Sequence, residues 1–274
     1  MTDLNTPGVL SRDHWIEHPQ GRIFARSWTP SARPITSAPD SPIVLFHDSL
    51  GCVALWRDFP AELSSATGRR VIAYDRLGFG KSDPRAGRPG LDFIADEART
   101  YFPAVREQLG IERFIAFGHS VGGGMAIHCA AQFGADCEAL ITESAQVFAE
   151  DLTLRSIAEA KEQFRDASQL GRLEKYHGDK AGWVVDAWTE NWLHPEFGEW
   201  SLAPVLPQVA SPVLAIHGVH DEYGTTCHPE MIGQLSAGPS RVEILADTFH
   251  VPHRERPGVV LELVADFVAA SDQA

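Results

Sequence analysis

The segment Gly118-His119-Ser120-Val121-Gly122 constrains this chain more than any other stretch. It follows a short apolar run, residues 114–117 (FIAF), and opens a helical pattern over 122–132. A chain passing directly from a buried strand into a helix must turn sharply there. Such a turn needs small residues two places either side of its apex, and Gly118 and Gly122 supply them. The apex is Ser120. Its hydroxyl is thereby expected at the top of a sheet and at a helix N-terminus, where the dipole stabilises negative charge.

The rest of the chain repeats this strand-then-helix rhythm. Short apolar runs occur at 43–46 (IVLF), 71–74 (VIAY), 139–142 (ALIT), 213–216 (VLAI) and 242–245 (VEIL). Most are rich in β-branched or aromatic residues and bounded by turn formers, so they read as buried strands. Helical patterns lie between them at 93–109 and 122–132, and a last helix is expected over 257–269. Strands alternating with helices predict an α/β fold with a mostly parallel, doubly wound sheet. Ahead of this body, HWIEHP and RIFARSW flank Gln20-Gly21 as a hairpin, and 30–42, rich in Pro, Ser and Ala, reads as a surface loop.

One interval breaks the rhythm. Residues 146–206 hold no convincing strand, begin as a polar helical stretch and contain Trp183, Trp188, Trp192 and Trp200, four of the seven tryptophans. This reads as a helical cap inserted before the last two strands. The division expected is a core domain of 1–145 and 207–274 with a cap of 146–206. Trp183, Trp188 and Trp192 are the candidate pocket residues, since aromatic walls favour apolar or aromatic ligands. They serve equally well to hold a cap to a body.

A serine hydroxyl is a weak nucleophile at neutral pH and needs a base. In a strand-to-helix elbow of this kind the acid and then the histidine follow the serine along the chain. His250, after the final strand and before the last helix, is the expected base, with His253 its rival beyond Pro252. Asp221, where the strand at 213–216 runs into a loop, is the expected acid, and Glu143 the alternative. Oxyanion stabilisation calls for two backbone N–H groups. Those of Val121 and Ser49 are expected, the second from the loop His47-Asp48-Ser49-Leu50-Gly51. No HExxH or similar pair occurs among the histidines, so no metal is expected.

These segments, with Asp75-Arg76-Leu77-Gly78-Phe79-Gly80-Lys81-Ser82, Gly218–Asp221 and His250-Val251-Pro252, resemble the α/β-hydrolase superfamily over essentially the whole chain. The resemblance implies an α/β-hydrolase fold and a structural role for the DxxGxGxS stretch, with Asp75 and Arg76 bracing neighbouring loops. It implies a serine hydrolase acting on a carboxylic ester or related acyl bond, with no cofactor. It leaves open carbon–carbon bond hydrolysis, a cofactor-free dioxygenase-like reaction that depends on the His–Asp pair, and a non-catalytic ligand-binding receptor on the same scaffold. One departure stands out: many relatives carry His-Gly where this chain has His47-Asp48. The Asp48 side chain is expected to turn away from the oxyanion and cap backbone N–H groups.

Composition narrows the partners. The net charge is −14, from 37 acidic and 23 basic side chains. An acidic surface repels nucleic acid and anionic lipid, which leaves a small molecule as the expected partner and neither nucleic acid nor membrane. The start of the chain shows no basic segment followed by an apolar stretch, and no run of about 18 apolar residues occurs. Cys52, Cys129, Cys137 and Cys227 form no CxxC pair and read as free thiols, so a cytoplasmic location is expected.

Overall fold

The computed structural model describes residues 8–31 and 41–271, so most of the loop expected at 30–42 lies outside the described residues. The hairpin around Gln20-Gly21 forms from β1 (Val9–Ile16) and β2 (Ile23–Pro30). Gly21 closes its turn, with φ of 136° and its N–H donating to the His18 carbonyl. Then follow β3 (Ile43–Phe46), α1 (Phe59–Thr67), β4 (Val71–Tyr74), α2 (Phe93–Asp96), α3 (Phe102–Leu109), β5 (Phe114–His119), α4 (Val121–Phe133) and β6 (Cys137–Glu143). After β6 come three helices, α5 (Asp151–Gln163), α6 (Ala167–His177) and α7 (Ala181–Trp192). The chain closes with β7 (Val213–Gly218), α8 (Cys227–Leu235), β8 (Ser240–Leu245), α9 (Pro252–Glu255) and α10 (Pro257–Ser271).

Among the described residues the strands make one eight-stranded sheet in the order β1-β2-β4-β3-β5-β6-β7-β8. β1 and β2 pair antiparallel, as do β2 and β4, and every other pairing is parallel. The central strands are buried on both faces, as parallel strands covered by helices must be. Alternation splits their side chains between two cores. Val44, Phe46, Ile72, Tyr74, Phe114 and Ala116 face α3 and α4, while Ile43, Leu45, Val71, Ala73, Ile115 and Phe117 face α1 and α10. The six parallel strands all end at one edge, the position where α/β sheets present ligand sites.

The helix expected over 93–109 is interrupted. A π-helical turn, Glu97–Tyr101, separates α2 from α3. Pro103 lies just beyond it and has no N–H to donate to the preceding turn, which permits the wider winding. No helix among the described residues is long and apolar enough to cross a membrane.

Candidate active site

Ser120 sits between β5 and α4 with φ 55° and ψ −127°, a conformation that costs a non-glycine residue on the order of 1–3 kcal/mol. The surroundings enforce it. A Cβ on Gly118 would lie 2.1 Å from the Gly122 carbonyl oxygen, and one on Gly122 would lie 2.1 Å from that of Phe46. The Ser120 N–H donates to the Glu143 carbonyl at 2.8 Å, tying the elbow to the neighbouring strand.

Three side chains from three strand ends form one line. The Ser120 hydroxyl lies 3.0 Å from His250 Nε2, and His250 Nδ1 lies 2.8 and 2.9 Å from the two Asp221 carboxylate oxygens. A carboxylate only accepts, so Nδ1 carries the proton and Nε2 is left to accept from the serine. All three residues are buried. Burial pulls the His250 pKa down, but the charge and hydrogen bond of Asp221, aided by Glu222 and Asp48, outweigh it and raise the pKa above the ordinary value. Burial likewise pushes Asp221 up. The His250 charge and hydrogen bond, with His217 and the Tyr223 N–H, outweigh that and keep its carboxyl below the usual range.

The two rivals, His253 and Glu143, belong to each other. His253 Nδ1 lies 2.5 Å from one Glu143 oxygen, and the His253 N–H donates to the other at 2.7 Å. Trp56 covers the His253 ring at 4.7 Å between centroids. His119 fills the space between the two histidine–carboxylate pairs, and its Nε2–H donates to the His250 carbonyl at 2.8 Å. Burial drives the His119 pKa down to about 4.

The loop after β3 meets the same site. Asp48, Ser49 and Leu50 line a cavity of about 90 Å³ together with Ser120 and His250. Val121 is the first residue of α4, where a backbone N–H has no acceptor within its own helix. The Asp48 side chain departs from expectation. Its carboxylate accepts no hydrogen bond among the described residues; Oδ1 lies over Gly51, where an added Cβ would be 1.9 Å away. The turn needs no cap, because other groups hold it. Gly51 N–H, Arg76 Nη2 and His47 Nδ1 all donate to the Asp48 carbonyl. Asp48 therefore adds its charge to the cavity wall beside His250.

Asp75 and Arg76 brace loops. Asp75 accepts from the Val53 and Lys81 N–H groups at 2.6 Å each, and burial raises its pKa to about 6. The Arg76 N–H donates to His47 Nε2 at 3.1 Å, and its guanidinium lies over Phe79.

Trp188 and Trp192 line the cavity, but Trp183 does not. Its ring covers Gly78, packs edge-on to Phe79, and donates its N–H to the Gly87 carbonyl at 3.0 Å. The absence of a Cβ at Gly78 makes a seat that draws this indole away from the serine. Trp200 stacks on Phe197. The sequence reading missed four lining residues: Gln146, Thr153, Ile157 and Tyr223. Gln146 follows β6 and Tyr223 follows β7, so inspecting every loop at the carboxyl edge finds both. The Tyr223 ring packs on His250 at 4.8 Å.

Two groups among the described residues bring three metal-binding side chains together: His119, Glu143 and His253, and Glu150, Cys227 and His228. In the second, His228 Nδ1 accepts from the Val147 N–H. Its Nε2 must therefore carry the proton it donates to Glu150, which leaves no lone pair for an ion.

Comparisons with known proteins agree with this architecture. A human 1-acylglycerol-3-phosphate O-acyltransferase is 37% identical over 90 residues, 31% of this chain, and the match spans only 24% of that relative's length. A bifunctional esterase/perhydrolase from Acinetobacter calcoaceticus is 26% identical over 231 residues, covering 73% of this chain and 79% of its own. Among solved structures, a bacterial membrane phospholipase A superimposes with a TM-score of 0.77 at 20% identity, over 97% of this chain and 88% of the other. The enol-lactonase from Burkholderia xenovorans LB400 gives 0.68 at 21% identity, over 93% and 100%. The model of the alpha/beta hydrolase fold family matches residues 41–257. With the elbow, the sheet order and this match in agreement, the chain belongs to the alpha/beta hydrolase fold family.

Proposed function

We propose that this protein is a serine hydrolase of small carboxylic esters or related acyl compounds. The observation that carries the reading is the unbroken hydrogen-bonded line Ser120–His250–Asp221 at the wall of a cavity. Ser120 Oγ attacks the substrate carbonyl as its proton passes to His250 Nε2. Asp221 holds the imidazole in the required tautomer and stabilises the imidazolium. The N–H groups of Ser49 and Val121 receive the developing oxyanion. His250 then protonates the leaving alcohol, and an acyl-enzyme remains on Ser120. Water, deprotonated by His250, releases the acid and restores the serine. Asp48 favours the imidazolium and opposes the oxyanion, so the two N–H donors must outweigh it.

In this reading residues 1–145 and 207–274 form the catalytic core, and 146–206 form the cap. Thr153 and Ile157 from α5 and Trp188 and Trp192 from α7 contribute the cap's share of the cavity wall. The cavity of about 90 Å³ beside Ser120 is small and partly open, which suits a substrate with a short acyl group. Leu50, Ile157, Trp188 and Trp192 give it apolar and aromatic walls. The Acinetobacter calcoaceticus relative, named an esterase/perhydrolase, supports ester chemistry.

A panel of activated esters of graded acyl length, with one lactone and one vinylogous diketone, tests the proposal. Wild type should turn over the short esters fastest, and Ser120→Ala should lose on the order of 10⁶ in kcat. Equal turnover by wild type and Ser120→Ala would overturn it.

A further inference from the structure

The segment read as the cap reaches into the core through one ring. His177, the last residue of α6, is 2% exposed and stands between two loops of the core. The Gly80 N–H donates to its Nδ1 at 2.9 Å, and the Leu50 carbonyl lies 3.0 Å from its Nε2. An N–H only donates and a carbonyl only accepts, so Nδ1 is bare and Nε2 carries the proton. Burial, joined by the Lys180 and Arg76 charges, holds the His177 pKa below its ordinary value against the Leu50 hydrogen bond and the Asp48 charge, which keeps the ring in this neutral form. Three residues on, Lys180 Nζ donates to the Gly80 and Ser82 carbonyls at 2.7 and 2.8 Å, so the contact with the 80–82 turn is secured twice. The contact with the Leu50 carbonyl rests on the imidazole.

The Leu50–Gly51 peptide is trans and planar, so its C=O and N–H point in opposite directions and holding one aims the other. His177 holds the C=O. The N–H, that of Gly51, donates to the Asp48 carbonyl at 3.2 Å, where His47 Nδ1 and Arg76 Nη2 also donate at 2.8 Å each. That carbonyl belongs to the Asp48–Ser49 peptide, whose N–H is the one assigned to the oxyanion. Two peptides in series therefore connect the His177 ring to the Ser49 N–H, and Ser49 and Leu50 both line the cavity beside Ser120.

We propose that His177 is a positioning residue: from the cap, it aims the Ser49 N–H at the oxyanion. The proposal rests on the reading of Ser120 as nucleophile and of the Ser49 N–H as oxyanion donor, and it makes the seated cap part of the oxyanion hole. His177 touches no reacting atom. Its effect belongs to the tetrahedral intermediate rather than to substrate binding, because the oxyanion exists only there.

Three variants separate positioning from a plain structural latch. His177→Asn keeps an acceptor for the Gly80 N–H but is too short to reach Leu50. His177→Met fills the volume and offers neither group. His177→Gln places a donor near the position of Nε2. Each is checked by circular dichroism and melting temperature. Each is then measured for hydrolysis of a short activated ester and for inhibition by a short-chain trifluoromethyl ketone. Ser120 Oγ adds to the carbonyl carbon of that ketone, its proton passes to His250, and a hemiketal oxyanion results. His177→Asn and His177→Met should each lose at least about tenfold in kcat, with kcat/KM falling in step, as a displaced oxyanion donor requires. The inhibition constant of the ketone should rise by a similar factor, and His177→Gln should recover most of both. Lys180→Met, which loosens the latch and leaves Leu50 alone, should lower the melting temperature and leave kcat unchanged. Wild-type kcat and ketone inhibition in a folded Asn or Met variant overturn the positioning role and leave the hydrolytic reading intact. So does an equal loss of kcat in Lys180→Met, or a His177→Gln variant no better than His177→Met. A wild type that neither hydrolyses the ester nor is inhibited by the ketone overturns the hydrolytic reading and the positioning role with it.

Discussion

Two histidine–carboxylate pairs lie side by side in this molecule: His250 with Asp221, and His253 with Glu143. Both are buried, and both put a carboxylate oxygen within hydrogen-bond reach of Nδ1. What separates them is the far side of each ring. Nε2 of His250 meets the Ser120 hydroxyl at a cavity, whereas the His253 ring is covered by Trp56 and Phe59. The comparison teaches that an imidazole paired with a carboxylate is not in itself a catalytic base. It becomes one when its second nitrogen faces a nucleophile that a substrate can approach. The inner pair does structural work, holding the start of α9 against the end of β6.

The sharpest way to break this comparison is to remove each ring. His250→Ala should cost on the order of 10⁶ in kcat, because the serine loses its base and the triad acts as a unit. His253→Gln keeps an N–H for Glu143 and should stay within about tenfold of wild-type kcat/KM, with its effect appearing as a lowered melting temperature. Circular dichroism on both variants separates lost chemistry from lost folding. The reverse ranking of activities would exchange the roles of the two pairs.

A smaller effect sharpens the same contrast at the acids. Asp221→Asn should lower kcat by about 10⁴-fold, since an amide can no longer enforce the tautomer. Glu143→Gln should leave kcat within about tenfold, being outside the proton path. The pH dependence carries the sign. His250 must be neutral to act, and its pKa is raised, so activity should fall on the acid side at a midpoint above the ordinary histidine value of about 6.5. Residual activity of Asp221→Asn should show that midpoint moved to lower pH, and Glu143→Gln should leave it in place. A midpoint that shifts with Glu143 rather than Asp221 would contradict the assignment.

The difference between the two regions also marks how far the sequence could be read. The elbow and the parallel sheet follow from local rules, strand runs and a turn that demands small residues, whereas Asp221 and His250 are placed by the chain order that accompanies such an elbow and by their position where strands run into loops. Local rules act within a few residues, and chain order selects a loop, so both are legible in the sequence. The pairing of His253 with Glu143 is not legible in that way, because no motif or chain order links the two residues and only the packing of α9 on β6 brings them within hydrogen-bond reach. The same holds for Trp183, whose seat on Gly78 comes from the other side of the chain's fold, and for Asp48, whose freedom from capping depends on Arg76 and His47 satisfying its carbonyl first. The π-helical turn at Glu97–Tyr101 is a further case, since periodicity over 93–109 reads as one helix and Pro103 was its only local sign.

The central claim is that Ser120, activated by His250, forms a covalent intermediate. The most direct measurement is intact-protein mass spectrometry after brief exposure to a fluorophosphonate, applied to wild type, His253→Gln, His250→Ala and Ser120→Ala. Wild type and His253→Gln should each gain a single phosphonyl group, mapped by peptide digestion to Ser120. His250→Ala should react far more slowly, and Ser120→Ala should gain none. An adduct on wild type at a residue other than Ser120, or equal labelling of wild type and Ser120→Ala, would contradict the account.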